Sequence, residues 1–136
     1  MTVQKAIARL SSLNVHEKVI DTLTEARPSF IAMNKNQLLK GIKASGEEIK
    51  PPYSTKTAKK KGRKTPNLYD KGDFQGAIFA DVRDNSVIID SADNKASMLI
   101  KKYGEDILGI TKESKVELSK ELRRTFFFNV KKHLYK

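Results

Sequence analysis

Residues 50–82 read KPPYSTKTAKKKGRKTPNLYDKGDFQGAIFADV, and this stretch divides the chain. Its first half is basic and broken by Pro and Gly. It holds Lys50, Lys56, Lys59, Lys60, Lys61, Arg63 and Lys64, with no acidic residue between Lys50 and Lys64. Its second half is apolar-rich and strand-like, entered through Leu68-Tyr69-Asp70-Lys71-Gly72-Asp73-Phe74. The pattern predicts a loop over residues 50–67 that projects from the fold, and a run behind it that anchors the fold. Pro51-Pro52 imposes extended geometry on the residues before each proline. A structureless segment of this length inside a compact domain is either functional or disordered.

Downstream, Asp73–Val82 alternates imperfectly, with Phe74, Ile78, Phe79 and Val82 as its large apolar residues. Arg83-Asp84-Asn85-Ser86 supplies turn chemistry, and Val87-Ile88-Ile89 is a β-branched run. Two such runs around a short polar turn predict an antiparallel β-hairpin. The unbroken apolar run at Val87–Ile89 predicts burial on both faces. Residues 92–103 carry helical spacing at Ala96, Leu99, Ile100 and Tyr103, and Gly104 suits a C-terminal cap. Thr111 suits the N-cap of a long last helix with Glu113 in its first turn. Its expected buried stripe is Val116 (or Glu117), Leu118, Leu122, Phe126, Val130 and Leu134. At about 100° per residue, the rings of Phe126, Phe127 and Phe128 cannot all face one core. Phe127 and Phe128 are therefore interface candidates.

Upstream, Val3, Ala6, Ile7 and Leu10 predict a short amphipathic helix over residues 3–13. Asn14 is placed to cap a second helix carrying Val15, Val19, Ile20 and Leu23. Pro28 predicts a kink or break near Arg27. Phe30, Ile31, Met33 (or Asn34), Leu38 and Leu39 then continue an apolar stripe, read as core packing, with the helical part ending by Ser45-Gly46. The expected architecture is α+β: an antiparallel hairpin or small sheet packed by N-terminal helices and a long C-terminal helix, in one domain over residues 1–136.

Composition narrows the function classes. The 136-residue chain has 38% hydrophobic and 32% charged residues, enough to build a core yet polar overall. It has no cysteine, which excludes disulfides, zinc-thiolate and iron–sulfur sites and cysteine nucleophiles. No apolar run approaches the ~20 residues that span a bilayer, and no secretory h-region precedes Val15, so we expect no membrane contact and a chain starting at or near Met1. The two histidines, His16 and His133, lack short-range His or Cys partners. No phosphate-loop, dinucleotide or nucleophile-elbow motif is present. Asp90 and Asp93 follow a strand, where turn formation and helix capping are the expected roles. We expect neither enzyme activity nor a cofactor or metal.

The formal charge is +11, concentrated at residues 50–64. Three readings of that basic segment stand side by side. It could neutralise nucleic-acid phosphates without reading bases, Tyr53 and Tyr69 adding stacking. It could dock on an acidic protein surface. It could be a solvated connector.

The order of signals also resembles a known family. Gly46, then Pro51-Pro52-Tyr53, then the segment from Pro66 through Phe74, the hairpin, Tyr103–Gly109 and a closing helix together resemble the virion-morphogenesis and tail-completion proteins of tailed bacteriophages. Tyr53, Thr57 and Lys59 match the family's basic loop. Leu68, Gly72 and Phe74 match the segment that opens its hairpin, and Tyr103-Gly104 the motif before its last helix. Lys71 stands where a threonine is expected. The resemblance covers roughly residues 41–134. It implies a non-enzymatic neck or minor tail subunit of the virion, assembled as a homo-oligomeric ring at the head–tail junction, beside portal, neck or tail proteins. A ring would multiply the basic segment into a collar near the DNA channel. On this resemblance a protein–protein clasp is the first expectation and direct phosphate contact with DNA the second. The alternative is a small non-specific nucleic-acid-binding protein that uses the same loop.

Overall fold

The computed structural model describes residues 2–69 and 72–135. Asp70 and Lys71, including the Lys71 position of the resemblance, lie outside the described residues, as does Met1. The described residues form seven α-helices and one two-stranded antiparallel sheet, an α+β architecture with a long C-terminal helix.

Helix starts follow local capping chemistry. α1 (Val3–Ser11), α2 (Val15–Glu25) and α7 (Lys112–Leu134) begin at Thr2, Asn14 and Thr111. Each of these side chains accepts a hydrogen bond from the backbone N–H three residues on, satisfying a donor the helix leaves unpaired. α2 stops at Glu25 and α3 (Arg27–Leu39) restarts with Pro28 in its first turn, the break expected there. α3 ends at Leu39, earlier than Ser45-Gly46, because Gly41 turns the chain with φ +74. A Cβ at Gly41 would sit 2.5 Å from Thr65 Cγ2, so the turn requires glycine both for its φ and for the close approach.

The strand signal at residues 73–82 is resolved differently. Asp73–Gly76 is a single helical turn (α5) that buries Phe74 and Gln75, and β1 runs only from Ile78 to Arg83. β2 (Ser86–Ser91) pairs with it in the register Ala80↔Ile89 and Val82↔Val87, around the Asp84-Asn85 turn, where Asp84 takes φ +54. Ile78, Ala80 and Ile89 face inward while Phe79, Asp81 and Ile88 face outward. The expectation that Val87–Ile89 is buried on both faces fails: Ile88 is 43% exposed. α2 and α3 pack against β1, and the other face stays open to solvent. Arg83 and Asp81 pair across that open face at 2.9 Å.

α6 begins at Ala96, four residues later than its apolar pattern, and is closed by Gly104 as expected. The preceding turn is built by Asp90, whose carboxylate accepts from Ser91 N, and by Ser91 Oγ, which accepts from Asp93 N and donates to the Phe74 carbonyl. The core gathers Leu38, Ile49, Leu68, Phe74, Ile78, Ala96, Tyr103 and Ile107, drawn from every part of the chain beyond α2 and before α7. α7 lies against α2 and α1. Its buried positions are Leu118 and Asn129, flanked by half-buried Leu122, Phe126, Val130 and Leu134. Val116 is exposed, so it leaves the expected stripe.

Candidate functional site

The basic segment is neither structureless nor free. Thr55–Lys61 forms a short helix, α4, whose N-cap Ser54 accepts from Thr57 N and whose C-cap Gly62 takes φ +72. Serine before the run and glycine after it are the sequence signals of this helix. The lysines between them carry no apolar periodicity, so the pattern alone does not disclose it. Both ends of the segment are tied down. Tyr53 N donates to the Lys64 carbonyl at 2.8 Å, and the Tyr53 hydroxyl lies 3.3 Å from Asn67 Oδ1, to which it donates, and 3.2 Å from Asn67 N, from which it accepts. Gln75, buried in α5, donates to the Asn67 carbonyl at 2.7 Å. The chain next passes through Leu68, a buried leucine held at φ +56. That conformation is costly for a residue with a γ-branched side chain and persists only where surrounding packing enforces it.

The seven basic candidates therefore separate into two groups. Arg63 turns inward: its guanidinium donates to the Leu39 carbonyl at 2.8 Å and to the Thr65 carbonyl at 2.6 Å. The first bond places a cation at the C-terminus of α3, where the helix dipole favours it. Lys61 reaches across to the Tyr69 carbonyl at 2.9 Å, with its ammonium 4.9 Å from the centre of the Tyr53 ring. Lys50, Lys56, Lys59, Lys60 and Lys64 are exposed and make no ion pair among the described residues. Lys56, Lys59 and Lys60 are spaced i, i+3, i+4 and share one face of α4. The expected charged surface is thus a lysine stripe on a tethered helix.

The structure also brings together residues that the sequence keeps apart. Tyr53, Tyr69 and Tyr103 line one pocket of about 220 Å³ between the basic segment and α6, with Lys61, Asp73 and Asp93. It opens into a wider groove of about 630 Å³ edged by Lys60, Lys61 and Lys102. The sequence places Tyr103 on the apolar face of a helix and in the Tyr103-Gly104 motif of the resemblance, not beside Tyr53 and Tyr69. The Tyr103 ring is buried, with Lys102 Nζ 5.2 Å from its centre.

A second surface is apolar. Phe127 and Phe128 are 61% and 63% exposed, so two rings of the triplet leave the core. Phe127 meets half-buried Phe126 edge to face, the centroids 6.1 Å apart. Beside it runs an apolar groove between α2 and α7, walled by Val19, Leu23, Leu122 and Phe126. α1 forms where its apolar spacing predicts, but its apolar face has no cover. It is held by polar contacts at its C-terminal end: Arg9 donates to the Leu134 carbonyl, and His133 Nε2 lies 3.0 Å from the Arg9 carbonyl. A carbonyl only accepts, so that contact places a proton on Nε2. The apolar stripe of α1 remains uncovered, with Val3, Ile7 and Leu10 at 71%, 57% and 55% exposure.

Among the described residues, no group of three or more His, Cys, Asp or Glu side chains converges to hold a metal, and no helix is long and apolar enough to cross a membrane. In comparisons with known proteins, no family model, no curated protein sequence and no solved structure matched this chain.

Proposed function

We propose that this chain is a structural subunit of a tailed-phage virion, a neck or tail-completion protein that assembles as a homo-oligomeric ring at the head–tail junction. The observation that carries the reading is the uncovered apolar surface. An isolated subunit gains nothing from exposing the Val3–Ile7–Leu10 stripe and two phenylalanine rings. Exposed apolar area of this kind acts as an association surface. In the reading, α1 and the Phe127–Phe128 edge of α7 meet neighbouring subunits. The lysine stripe of α4 then repeats once per subunit as a basic collar. Its first partner is an acidic face of an adjoining neck, portal or tail protein, and DNA in the channel is the second. The resemblance of the segments 51–59, 66–74 and 103–109 to tail-completion proteins supports the same reading.

Light scattering on the purified chain, alone and mixed with a tailed-phage portal or tail protein, tests the proposal. The expected result is a discrete oligomer well above the 15.3 kDa chain mass, reduced to monomer by Ile7→Asp or Phe127→Asp with the helical circular-dichroism spectrum intact. A chain that stays monomeric in both conditions at high micromolar concentration overturns it.

A further inference from the structure

The cleft between α4 and α6 differs in chemistry from the apolar surface and meets the lysine stripe of α4 only at Lys60; the assembly reading does not use its tyrosines or its carboxylates. Three of the four tyrosines of the chain line it. Its outer groove is edged by the ammonium groups of Lys60, Lys61 and Lys102. Its lining also carries Asp73, Asp93 and Lys95, and Asp93 Oδ2 is shielded from solvent and accepts no hydrogen bond among the described residues. A buried carboxylate oxygen without a donor is costly and calls for one.

These features select a ligand with three properties. It presents a flat π-face to the tyrosine rings, a hydrogen-bond donor to Asp93, and negative charge to the lysines outside. An acidic peptide supplies the charge but offers no flat π-face to the tyrosine rings. Duplex nucleic acid supplies phosphates but keeps its base faces stacked internally. An unpaired nucleotide has all three: base–tyrosine stacking, an amino group such as cytosine N4 that donates to an Asp, and a flanking phosphate.

We propose that this cleft binds single-stranded nucleic acid, one base entering beside Tyr69 and Tyr103 toward Asp93 while the backbone phosphates lie along Lys60, Lys61 and Lys102. Tyr69 is the exposed stacking platform. Tyr53 offers less, because the Lys61 ammonium already covers one face of its ring. Tyr103 forms the buried wall. This inference does not rest on the assembly reading: it shares Lys60 with the lysine stripe, but Tyr69, Tyr103, Asp93 and Lys102 are residues that reading leaves unused.

The chain contains no tryptophan and three of its four tyrosines line the cleft, so tyrosine emission reports mainly on the cleft. The test is titration of the full-length protein with fluorescein-labelled eight-residue oligodeoxycytidine, the same length of oligothymidine and a hairpin duplex. Anisotropy and tyrosine emission are both followed at low salt. The expected result is single-strand binding roughly tenfold tighter than duplex, with quenching of tyrosine emission and a preference for oligodeoxycytidine. Tyr69→Ala, whose side chain carries no hydrogen bond of the fold among the described residues, weakens single-strand binding about tenfold. Asp93→Asn removes the preference for cytosine over thymine. Equal affinity for duplex and single strand, or binding with tyrosine emission unchanged, means that phosphates alone are read and overturns the proposal. So does an absence of nucleic-acid binding, with or without binding of a polyglutamate control. Circular dichroism confirms that each variant is folded.

Discussion

Asn34 holds the backbone of the segment before α7 as a strand neighbour would: its Oδ1 accepts from Gly109 N at 3.0 Å, and its Nδ2 donates to the Ile107 carbonyl at 3.0 Å. One turn on, Gln37 repeats the arrangement, donating to the Gly109 carbonyl and accepting from Thr111 N. Two amides spaced i, i+3 on α3 therefore satisfy four backbone groups of an irregular segment that has no sheet to pair with. Asn34 is fully buried. Asn34→Leu fills similar space but strands the Gly109 N–H and the Ile107 carbonyl. At about 1–3 kcal/mol per buried unsatisfied group, a loss of about 2–5 kcal/mol is expected. Urea denaturation measures it, and a midpoint within error of the parent would show that the clasp contributes nothing.

Gly41 offers a second measurement of close packing. Its φ of +74 costs an L-residue about 1–2 kcal/mol, and a Cβ there collides with Thr65 Cγ2 at 2.5 Å and Arg63 Nη2 at 2.9 Å. Gly41→Ala is expected to destabilise by about 2–4 kcal/mol, strain and overpacking combined. Gly46 is the control: its φ is +89, but no atom lies within 4 Å of the added methyl. Gly46→Ala is expected to cost only the strain. Equal shifts in the two thermal melts would remove the packing explanation.

What the sequence disclosed and what it hid follow from the range of the interactions. The caps at Asn14, Thr111 and Gly104, the break at Pro28 and the hairpin around Asp84-Asn85 are local, so residue type and spacing reveal them. The polar buried face of α3 is not local. The partners of Asn34 and Gln37 lie more than seventy residues away, and an apolar-stripe reading passes over them. α4 was hidden because lysines give no hydrophobic period. The tyrosine cleft was hidden because Tyr103 joins Tyr53 and Tyr69 only through folding. Hydrophobic periodicity showed that α1 is amphipathic, but it does not say whether its apolar stripe meets this chain or another.

That last point has a measurable consequence for stability. No residue of α1 is buried. Val3→Ser, Ile7→Ser and Leu10→Ser are each expected to move the stability of the isolated chain by no more than about 0.5 kcal/mol, while on the assembly proposal the triple variant is expected to abolish the oligomer. Leu118→Ala, at a buried position facing the interior, is expected to cost about 2–5 kcal/mol in the same assay. Large losses from the α1 serines at monomeric concentrations would place the stripe inside the fold and remove the carrying observation of the assembly proposal.

The division of the basic residues gives the final prediction. Arg63→Ala removes two charge-assisted bonds to backbone carbonyls, one of them at the end of α3. Part of the group is solvated, so the loss is expected at about 1–2 kcal/mol. Lys56→Gln, Lys59→Gln and Lys60→Gln act in the opposite sense on the fold. These like charges lie one turn apart on a seven-residue helix held mainly by its caps. Relieving each repulsion is worth about 0.2–0.5 kcal/mol, so the triple variant is expected to be at least as stable as the parent. Its effect belongs to partner binding: affinity for an acidic neighbouring protein is expected to fall steeply, and with it the dependence of that affinity on salt. A triple variant that folds, binds its neighbour and supports virion assembly as the parent does would make the stripe a solvated surface, and would leave Arg63 and Lys61 as the basic residues of this segment with a structural task.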